Sequence, residues 1–150
     1  MWRFSRDEAR LEELVQDVFV EAYFSLGRFR GEAPFSHWLR KIATRVGYRY
    51  WKESRGRRGD HHVSLDDVSA TLAAPEEADA AKAGEMVYAL LKQLSPRDRL
   101  VLSLIYLEAL SVREAARLLG WTETMVKVQA FRARKKLKRL IETTEKEGSR

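Results

Sequence analysis

Residues 111–134 read SVREAARLLGWTETMVKVQAFRAR, and this stretch decides how the second half of the chain folds. Ser111 and Glu114 have the spacing of a capping box, in which a hydroxyl and a carboxylate satisfy the free amides that begin a helix. Gly120 can end that helix, because glycine adopts a left-handed turn without steric cost. Thr122 has the side chain and the position to cap a second helix. Two helices joined by so short a turn predict a helix-turn-helix.

The second helix of this motif has two different faces. Its apolar residues recur at spacings of four and three, which predicts a buried stripe. The stripe consists of Val126, Ala130, Ala133, Leu137 and Leu140. In the first helix, Ala116 is small enough for the two helices to cross closely. The residues off the stripe are predicted to face outward, and they are Thr124, Lys127, Val128, Phe131, Arg132, Arg134 and Lys135.

This outward face is rich in lysine and arginine, which favours DNA binding, because cations contact phosphates and guanine edges in the major groove. Phe131 interrupts the basic face. Its ring is useful there if it contacts a thymine methyl group or a base edge. The alternative is that Phe131 covers a neighbouring helix.

The remainder of the chain also has helical periodicity, and no extended alternation of apolar and polar residues occurs. Residues 7–26 and residues 35–55 each carry one apolar stripe, and Ser95-Pro96 is a strong start for a further helix. Residues 60–78 lack such a period. The sequence therefore predicts an all-α fold with two small helical domains, residues 1–59 and 81–150, joined by a flexible acidic linker, residues 60–80.

Charge is distributed unevenly along the 150 residues, whose net charge is +6. Residues 34–59 carry 8 basic side chains and 1 acidic one, and residues 122–150 carry 9 basic and 4 acidic ones. Between them, residues 60–80 carry 6 acidic side chains and no basic one. Basic segments are the electrostatic signature of a polyanionic partner, although a solvated helix face is the alternative for any single run.

Composition argues against several other classes of protein. The chain has no cysteine, which excludes disulfides and thiolate chemistry. Of its histidines, His61 and His62 lie in the acidic segment, where a solvated loop is favoured over a metal site. No glycine-rich phosphate loop or recognisable nucleophile is present, so we expect neither an enzyme nor a cofactor. No apolar run approaches the roughly 18 residues that span a bilayer, and the charged first ten residues do not resemble a signal peptide, so the expected location is the cytoplasm.

The motifs resemble two regions of one known family. Residues 110–120 and 126–134 resemble region 4 of the bacterial extracytoplasmic-function (ECF) RNA polymerase sigma factors, which belong to the sigma-70 family. Residues 13–19, ELVQDVF, and residues 29–39, FRGEAPFSHWL, look like region 2 of the same family. The two motifs occur in the family's order and cover most of the chain, which makes the pair far more specific than a lone helix-turn-helix.

The resemblance implies three contact surfaces and their partners. The helix from Thr122 would read the minus-35 element of promoter DNA through its outward residues. The loop and helix over residues 29–52 would hold and melt the minus-10 element. The residues implied there are Phe29, Arg30, Lys41, Arg45, Tyr48, Arg49 and Lys52. The acidic helix that contains the LVQD motif would dock on the clamp coiled coil of core RNA polymerase. Its implied contact residues are Glu13, Gln16, Asp17, Val18 and Glu21. An anti-sigma protein is a further expected partner.

Within region 2, stacking surfaces for unpaired bases are also expected. Tyr48 and Trp51 are the candidates for exposed rings, whereas Phe35 and Trp38 are assigned to the core by their place in the apolar stripe.

Two features depart from the family pattern. Arg45 stands where the family usually has an asparagine, so an amide contact to a base edge is lost or is replaced by a phosphate or guanine contact. The family has a further helix before the LVQD motif, and this chain has only about ten residues there. We therefore expect a shortened region 2 that exposes apolar surface around Leu14, Val18 and Phe19. Self-association, a partner, or the segment with Trp2 and Phe4 would cover it.

The main hypothesis is an alternative sigma factor that binds core RNA polymerase and directs promoter recognition and transcription initiation. Two alternatives stay open. One is a sigma-like regulator that binds polymerase or an anti-sigma protein without initiating transcription, which the shortened region 2 favours. The other is a plain helix-turn-helix repressor, which would bind DNA without polymerase.

Overall fold

The computed structural model describes residue 1, residues 3–57 and residues 75–149, and no strand occurs among them. Within these residues, six α-helices carry the fold: α1 Glu8–Ser25, α2 Phe35–Arg57, α3 Pro75–Lys92, α4 Pro96–Leu102, α5 Val112–Leu119 and α6 Glu123–Gly148. A short 3-10 helix, Leu26–Arg28, follows α1, and a π-helix, Ser103–Leu107, follows α4. The predicted all-α fold is confirmed.

Helices α1 and α2 pack against each other and form the first lobe. α1 begins where the Asp7 carboxylate accepts a hydrogen bond from the backbone amide of Arg10 at 3.0 Å, which satisfies one of the free amides at the helix start. The buried residues between the two helices are Leu14, Val18, Ala22, Ile42 and Val46. The apolar stripes read from the sequence therefore face each other.

The segment before α1 completes the core of this lobe. Phe4 is only 1% exposed, and its ring centroid lies 4.5 Å from that of Trp51. The Trp51 indole donates a hydrogen bond to the Phe4 carbonyl at 3.0 Å. Gly47 makes room for the Phe4 ring, since a Cβ atom there would overlap it. Closure by the segment that contains Phe4 is thus confirmed, whereas Trp2 lies outside the described residues.

Two expectations about exposure in the first lobe are wrong. Trp51 was a candidate for an exposed stacking ring, but it is 4% exposed because Phe4 covers it. Leu14 and Val18 were expected at an open apolar surface, but both of them are buried where α1 packs on α2. Phe19 alone of that group remains exposed.

The second lobe contains α4, α5 and α6, and its core lies where these helices meet. The Ser95 hydroxyl accepts from the backbone amide of Asp98 at 3.3 Å and caps α4, with Pro96 at the first position as expected. Beyond Leu102 the helix continues as a π-helix that ends at Leu107, and Ala109 in the following turn has a φ of 52°. The core residues are Leu100, Val101, Leu104, Ala115, Ala116, Val126 and Ala130.

The last part of the predicted linker is helical. Residues 75–80 were assigned to it, but they form the first turns of α3. Proline is common at the first helical position, acidic residues favour the first turn, and alanine has the highest helix propensity, so residues 75–83 suit a helix despite their charge. The rest of the linker, residues 60–74, lies outside the described residues.

The two lobes pack against each other, because α2 contacts both α4 and α5. The Arg99 guanidinium of α4 lies 4.0 Å from the centroid of the Trp51 ring. Glu108, just after the π-helix, accepts a hydrogen bond from Arg40 at 2.5 Å and forms an ion pair with Arg3. Burial, and then the nearby charge of Arg40, lower the pKa of Arg3 to about 10. Phe4 and Trp51 lie in the first lobe, and both belong to the same core cluster as buried residues of the second lobe.

Candidate nucleic-acid interface

The turn between α5 and α6 is built by local interactions. The Ser111 hydroxyl accepts from the Glu114 amide at 3.1 Å, and the Glu114 carboxylate accepts from the Ser111 amide at 2.7 Å. These hydrogen bonds lower the pKa of Glu114. Gly120 ends α5 with φ 69° and ψ 28°, and the Thr122 hydroxyl accepts from the Met125 amide at 3.1 Å. The predicted helix-turn-helix is confirmed.

The inner face of α6 is buried against α5 and α4. Val126 and Ala133 are fully buried, Ala130 nearly so, and Ala116 lies in the same core as Val126. Leu137 is only half buried. Farther along, α6 continues past the end of the apolar stripe at Leu140 to Gly148.

The outer face of α6 is open to solvent. All seven residues predicted to face outward are exposed: Thr124, Lys127, Val128, Phe131, Arg132, Arg134 and Lys135. Phe131 is 53% exposed, and the Lys135 ammonium lies 4.9 Å from its ring centroid. The alternative in which Phe131 covers a neighbouring helix is therefore wrong. The ring instead stands among cations on a surface that can enter a groove.

Sequence reasoning missed one residue beside this face. Tyr106, in the π-helix, accepts a hydrogen bond at 2.6 Å on its hydroxyl from the Arg134 guanidinium. Both side chains are exposed, as is Leu107. The sequence pattern around Tyr106 predicts a continuation of α4, and a local pattern does not indicate which residue of α6 this side chain meets.

A second basic face lies along α2. Lys41, Arg45, Arg49 and Lys52 follow one another at helical spacing, and all four are exposed. Tyr48, half buried beside them, has the Lys52 ammonium 5.7 Å from its ring centroid. Cations that recur on one helix face suit the phosphate backbone of a nucleic-acid strand.

Glu21 of α1 faces this second basic surface. Its carboxylate accepts from Arg49 at 2.6 Å and from Arg45 at 3.2 Å. Partial burial by itself raises the pKa of Glu21, but the hydrogen bonds from both arginines outweigh it and lower the pKa. Glu21 was assigned to the polymerase surface, but the structure gives it a second use in orienting two cations of α2.

The loop before α2 holds a cluster of three aromatic rings. Phe29 lies 5.6 Å from Phe35 and 5.2 Å from Trp38, and the latter two rings lie 5.3 Å apart. Gly31 makes the turn with a φ of 72°. Phe35 is half exposed, so its assignment to the core is wrong, because its ring lies at the surface of the cluster in edge and tilted contacts. Arg30 is exposed in the same loop.

The polymerase surface predicted on α1 is only partly accessible. Glu13, Gln16 and Asp17 are exposed, but Val18 lies in the core and offers no contact surface. Val18 is one helical turn after Leu14 and shares its buried face. The same helix ends in exposed rings, with Tyr23 and Phe24 its most exposed aromatic residues.

The described residues have neither a metal-binding cluster of side chains nor a membrane-spanning helix. None of them form a group of three or more histidine, cysteine, aspartate or glutamate side chains able to hold a metal ion, and His61 and His62 lie outside them. Among the same residues, no helix is both long and apolar enough to cross a membrane.

Comparison with known proteins gives a consistent result over both lobes. The family model "Sigma-70 region 2" matches residues 1–57, and "Sigma-70, region 4" matches residues 84–137. The RNA polymerase sigma-H factor of Pseudomonas aeruginosa is 29% identical over 93% of this chain and 77% of its own. The ECF RNA polymerase sigma factor SigX of Bacillus subtilis is 26% identical over 95% of this chain and 76% of its own.

The fold is also shared with solved structures. CnrH, solved in complex with the cytosolic domain of CnrY, superposes with a TM-score of 0.63 and 26% identity, over 94% of this chain and 77% of that one. The sigma factor RpoE of Bartonella quintana, solved with the anti-sigma factor NepR, superposes with a TM-score of 0.61, over 93% of this chain and 86% of that one. Both family regions, in order, over a matching helical framework show that the chain belongs to the sigma-70 family, as an ECF sigma factor.

Proposed function

We propose that this sigma factor binds core RNA polymerase, directs it to promoters and starts transcription as a cytoplasmic, non-enzymatic initiation factor. The observation that carries the proposal is the open basic face of α6 directly after the Gly120 turn. A plain repressor would need this surface alone. The second basic face on α2, next to a loop of clustered rings, favours a protein that also handles an opened strand.

On this proposal, α6 reads the minus-35 element. Its first turns contain Thr124, Lys127 and Val128, and the N-terminal part of a reading helix is the part that reaches base edges. Phe131 and Arg132 follow on the same open face. Arg134 and Lys135 lie farther along and would contact phosphates. Lysine lacks the planar fork of arginine, so discrimination at Lys127 would be weaker than an arginine provides.

The minus-10 element would lie along α2 and the loop before it. Lys41, Arg45, Arg49 and Lys52 would follow the backbone of the strand. Phe29, Arg30 and Tyr48 are the residues proposed to meet unpaired bases. In this arrangement Glu21 holds Arg45 and Arg49 at fixed positions, which leaves their exposed sides free for phosphates.

Two acidic residues, Glu13 and Asp17, and the neutral Gln16 would dock α1 on the clamp coiled coil of polymerase. An anti-sigma protein is proposed as a second partner, since CnrH and the Bartonella protein were each solved with a bound partner. The domain boundaries proposed are residues 1–59 for region 2 and 81–150 for region 4.

Binding both promoter elements requires the lobes to separate. Elements named minus-10 and minus-35 lie about 25 base pairs apart, or about 85 Å at roughly 3.4 Å per base pair. A compact chain of this length has a radius of gyration of only about 15 Å. The 17 residues from 58 to 74 can span at most about 60 Å by covalent geometry, which together with the two lobes suffices. On this proposal, the two lobes are packed together in the free protein, and they separate when it binds polymerase.

The test is run-off transcription with purified core polymerase and a genomic promoter library. We expect the protein to co-elute with core polymerase and to yield discrete transcripts that core alone does not make. Co-elution without transcripts would identify the sigma-like regulator instead. A DNA footprint by the protein alone, with no co-elution, would identify the repressor.

Two substitutions on α6 test how the reading helix works. Arg132→Ala should cost roughly 1–3 kcal/mol of binding and relax the preference at one base position. Lys135→Ala should weaken binding to all DNA sequences alike. It should also reduce by about one the slope of log affinity against log salt concentration. The measurement is binding of holoenzyme to randomised duplexes at several salt concentrations. Equal, sequence-independent losses in both variants would mean that region 4 anchors the protein without reading sequence.

A further inference from the structure

Tyr106 and Arg134 form a hydrogen-bonded pair on the surface of the second lobe. The Arg134 guanidinium donates to the Tyr106 hydroxyl at 2.6 Å, although the two residues are 28 positions apart in the chain. Tyr106 is 55% exposed, and Arg134 is exposed as well. The pair is therefore open to a molecule that approaches α6 from outside.

Arg134 lies along one edge of the outer face of α6. Lys127, Phe131 and Arg134 are spaced by four and three residues, so they share one side of the helix. Through its bond to Arg134, the Tyr106 hydroxyl becomes part of this edge. A helix with its side chains is about 10–12 Å wide, and the major groove of DNA is about 12 Å wide. When α6 lies in the groove, the groups along its edges therefore face the phosphates that border the groove.

The pair still has hydrogen bonds to offer. A tyrosine hydroxyl has one proton to donate, and a guanidinium has several N–H groups and no acceptor. Since the Tyr106 oxygen accepts from Arg134, the hydroxyl proton remains for another acceptor. In the part of the chain that the structure describes, neither side chain has a second hydrogen-bond partner. Both can thus donate to the same external group.

The charge of α6 favours an anion as that external group. Residues 124–141 include seven lysine and arginine residues and no aspartate or glutamate. Lys136 and Lys138 have carboxylate partners, whereas Arg134 has none among the described residues. The positive charge of Arg134 is therefore free to contact a DNA phosphate.

The backbone around Tyr106 is also unusual. Tyr106 belongs to the π-helix Ser103–Leu107, and Ala109 just beyond it has a positive φ of 52°. Such π-helices contain well under about 1% of residues and are frequent at functional sites, and positive φ is uncommon outside glycine. An exposed hydrogen bond contributes little to stability, so it does not by itself offset the cost of this backbone. The conformation points to a role of Tyr106 in binding.

We propose that Tyr106 and Arg134 bind one backbone phosphate of the DNA that borders α6. Arg134 supplies the charge, and Tyr106 donates its hydroxyl proton to the same phosphate. Tyr106 is also a positioning residue, because its oxygen holds the guanidinium at the edge of α6, and a group held in place loses less entropy on binding. The inference rests on the proposed reading of DNA by α6, and it adds a residue outside the helix-turn-helix.

Tyr106→Phe tests the hydroxyl, because it leaves the ring in place. The measurement is fluorescence anisotropy of the full chain with two labelled duplexes of unrelated sequence, at several salt concentrations. We expect binding to both duplexes to weaken about five- to tenfold, since a hydrogen bond to a charged group is lost. The loss should be equal for the two duplexes, because a phosphate contact contains no sequence information. The slope of log affinity against log salt concentration should not change, since no cation is removed.

The matched control is Tyr23→Phe on α1, which removes a hydroxyl from a ring that is 76% exposed and should bind both duplexes as the wild type does. All measurements are made well below the unfolding midpoint of each variant, so that a loss of affinity reports on binding and not on folding.

A double-substitution cycle tests whether the two side chains share one phosphate. Arg134→Gln should weaken binding to both duplexes and reduce the salt slope by about one. Adding Tyr106→Phe to this variant should cost a further factor of only about two or less, because groups that act as a unit are not additive.

Three results would overturn the shared contact while leaving DNA reading by α6 in place. They are unchanged affinity in Tyr106→Phe, a loss confined to one duplex, and the same loss from Tyr106→Phe with and without Arg134. A wild type that binds neither duplex would instead overturn the proposed reading of DNA by α6, and this inference with it.

Discussion

Replacing Phe4 by alanine should lower the free energy of unfolding by about 3–5 kcal/mol, the largest effect that we expect from a single side chain. Phe4 is almost fully buried, and it packs on Trp51 and directly over Gly47. Truncation removes this contact and leaves a cavity between the N-terminal segment and the two lobes. Since domains of this size are stable by only about 5–15 kcal/mol, the variant would lose a large fraction of its stability.

Urea denaturation followed by circular dichroism measures this effect. The matched control is Phe24→Ala, which removes the same atoms from a ring that is 79% exposed and should change stability by less than about 0.5 kcal/mol. Phe4→Leu should recover much of the loss, because most of the buried volume is kept. Equal stability of the two alanine variants would mean that Phe4 does not close the core in solution.

Replacing Asp98 by alanine should cost about 2–4 kcal/mol. This carboxylate is fully buried and accepts hydrogen bonds from Lys136 at 2.6 Å, from Ser95 at 2.8 Å and from Gln129. It therefore joins the start of α4 to the middle of α6. This cost is smaller than the cost of leaving a fully buried charge without its partner. The reason is that the Lys136 side chain is half exposed, so its ammonium group can be solvated by water in the variant.

The same carboxylate predicts a dependence on pH. Burial raises the pKa of Asp98, but the hydrogen bonds from Lys136, Ser95 and Gln129 outweigh it and lower the pKa below its ordinary value of 3.8. A carboxyl whose pKa is lower in the folded state stabilises the fold above the unfolded pKa, and it loses that contribution as the pH falls through the folded value. Stability from Asp98 is thus complete near neutral pH and disappears below pH 3.8.

Urea midpoints between neutral pH and acid measure this loss for the wild type and for Asp98→Asn. We expect the variant to be less stable at neutral pH and to lose less on acidification, so that the two curves converge. The control is Asp17→Asn on the exposed face of α1, whose curve should run parallel to that of the wild type. Parallel curves for Asp98→Asn would contradict the role given to this carboxylate.

The sequence by itself determined the elements that depend on near neighbours. Ser111 with Glu114, Gly120 and Thr122 act within one helical turn, so residue types at fixed spacing suffice to predict the caps and the turn. The stripe on α6 is equally local, because helical geometry alone decides which side chains share a face. The exposed residues proposed to read DNA could be predicted for the same reason.

Tertiary structure decided everything that depends on which faces meet. The position of Trp51 in the sequence pattern predicts an exposed ring. In the structure Phe4, which lies 47 residues earlier in the chain, packs on this ring and buries it. Glu21 has the pattern of an open acidic face, and the packing of α1 on α2 gives it Arg45 and Arg49. A cleft between the lobes likewise assembles residues of four separate segments, among them Phe4, Tyr50, Tyr88 and Arg99. The periodicity of a sequence predicts whether a helix face is apolar or charged. It does not predict which other helix that face will contact, since contacts between distant residues depend on how whole helices pack.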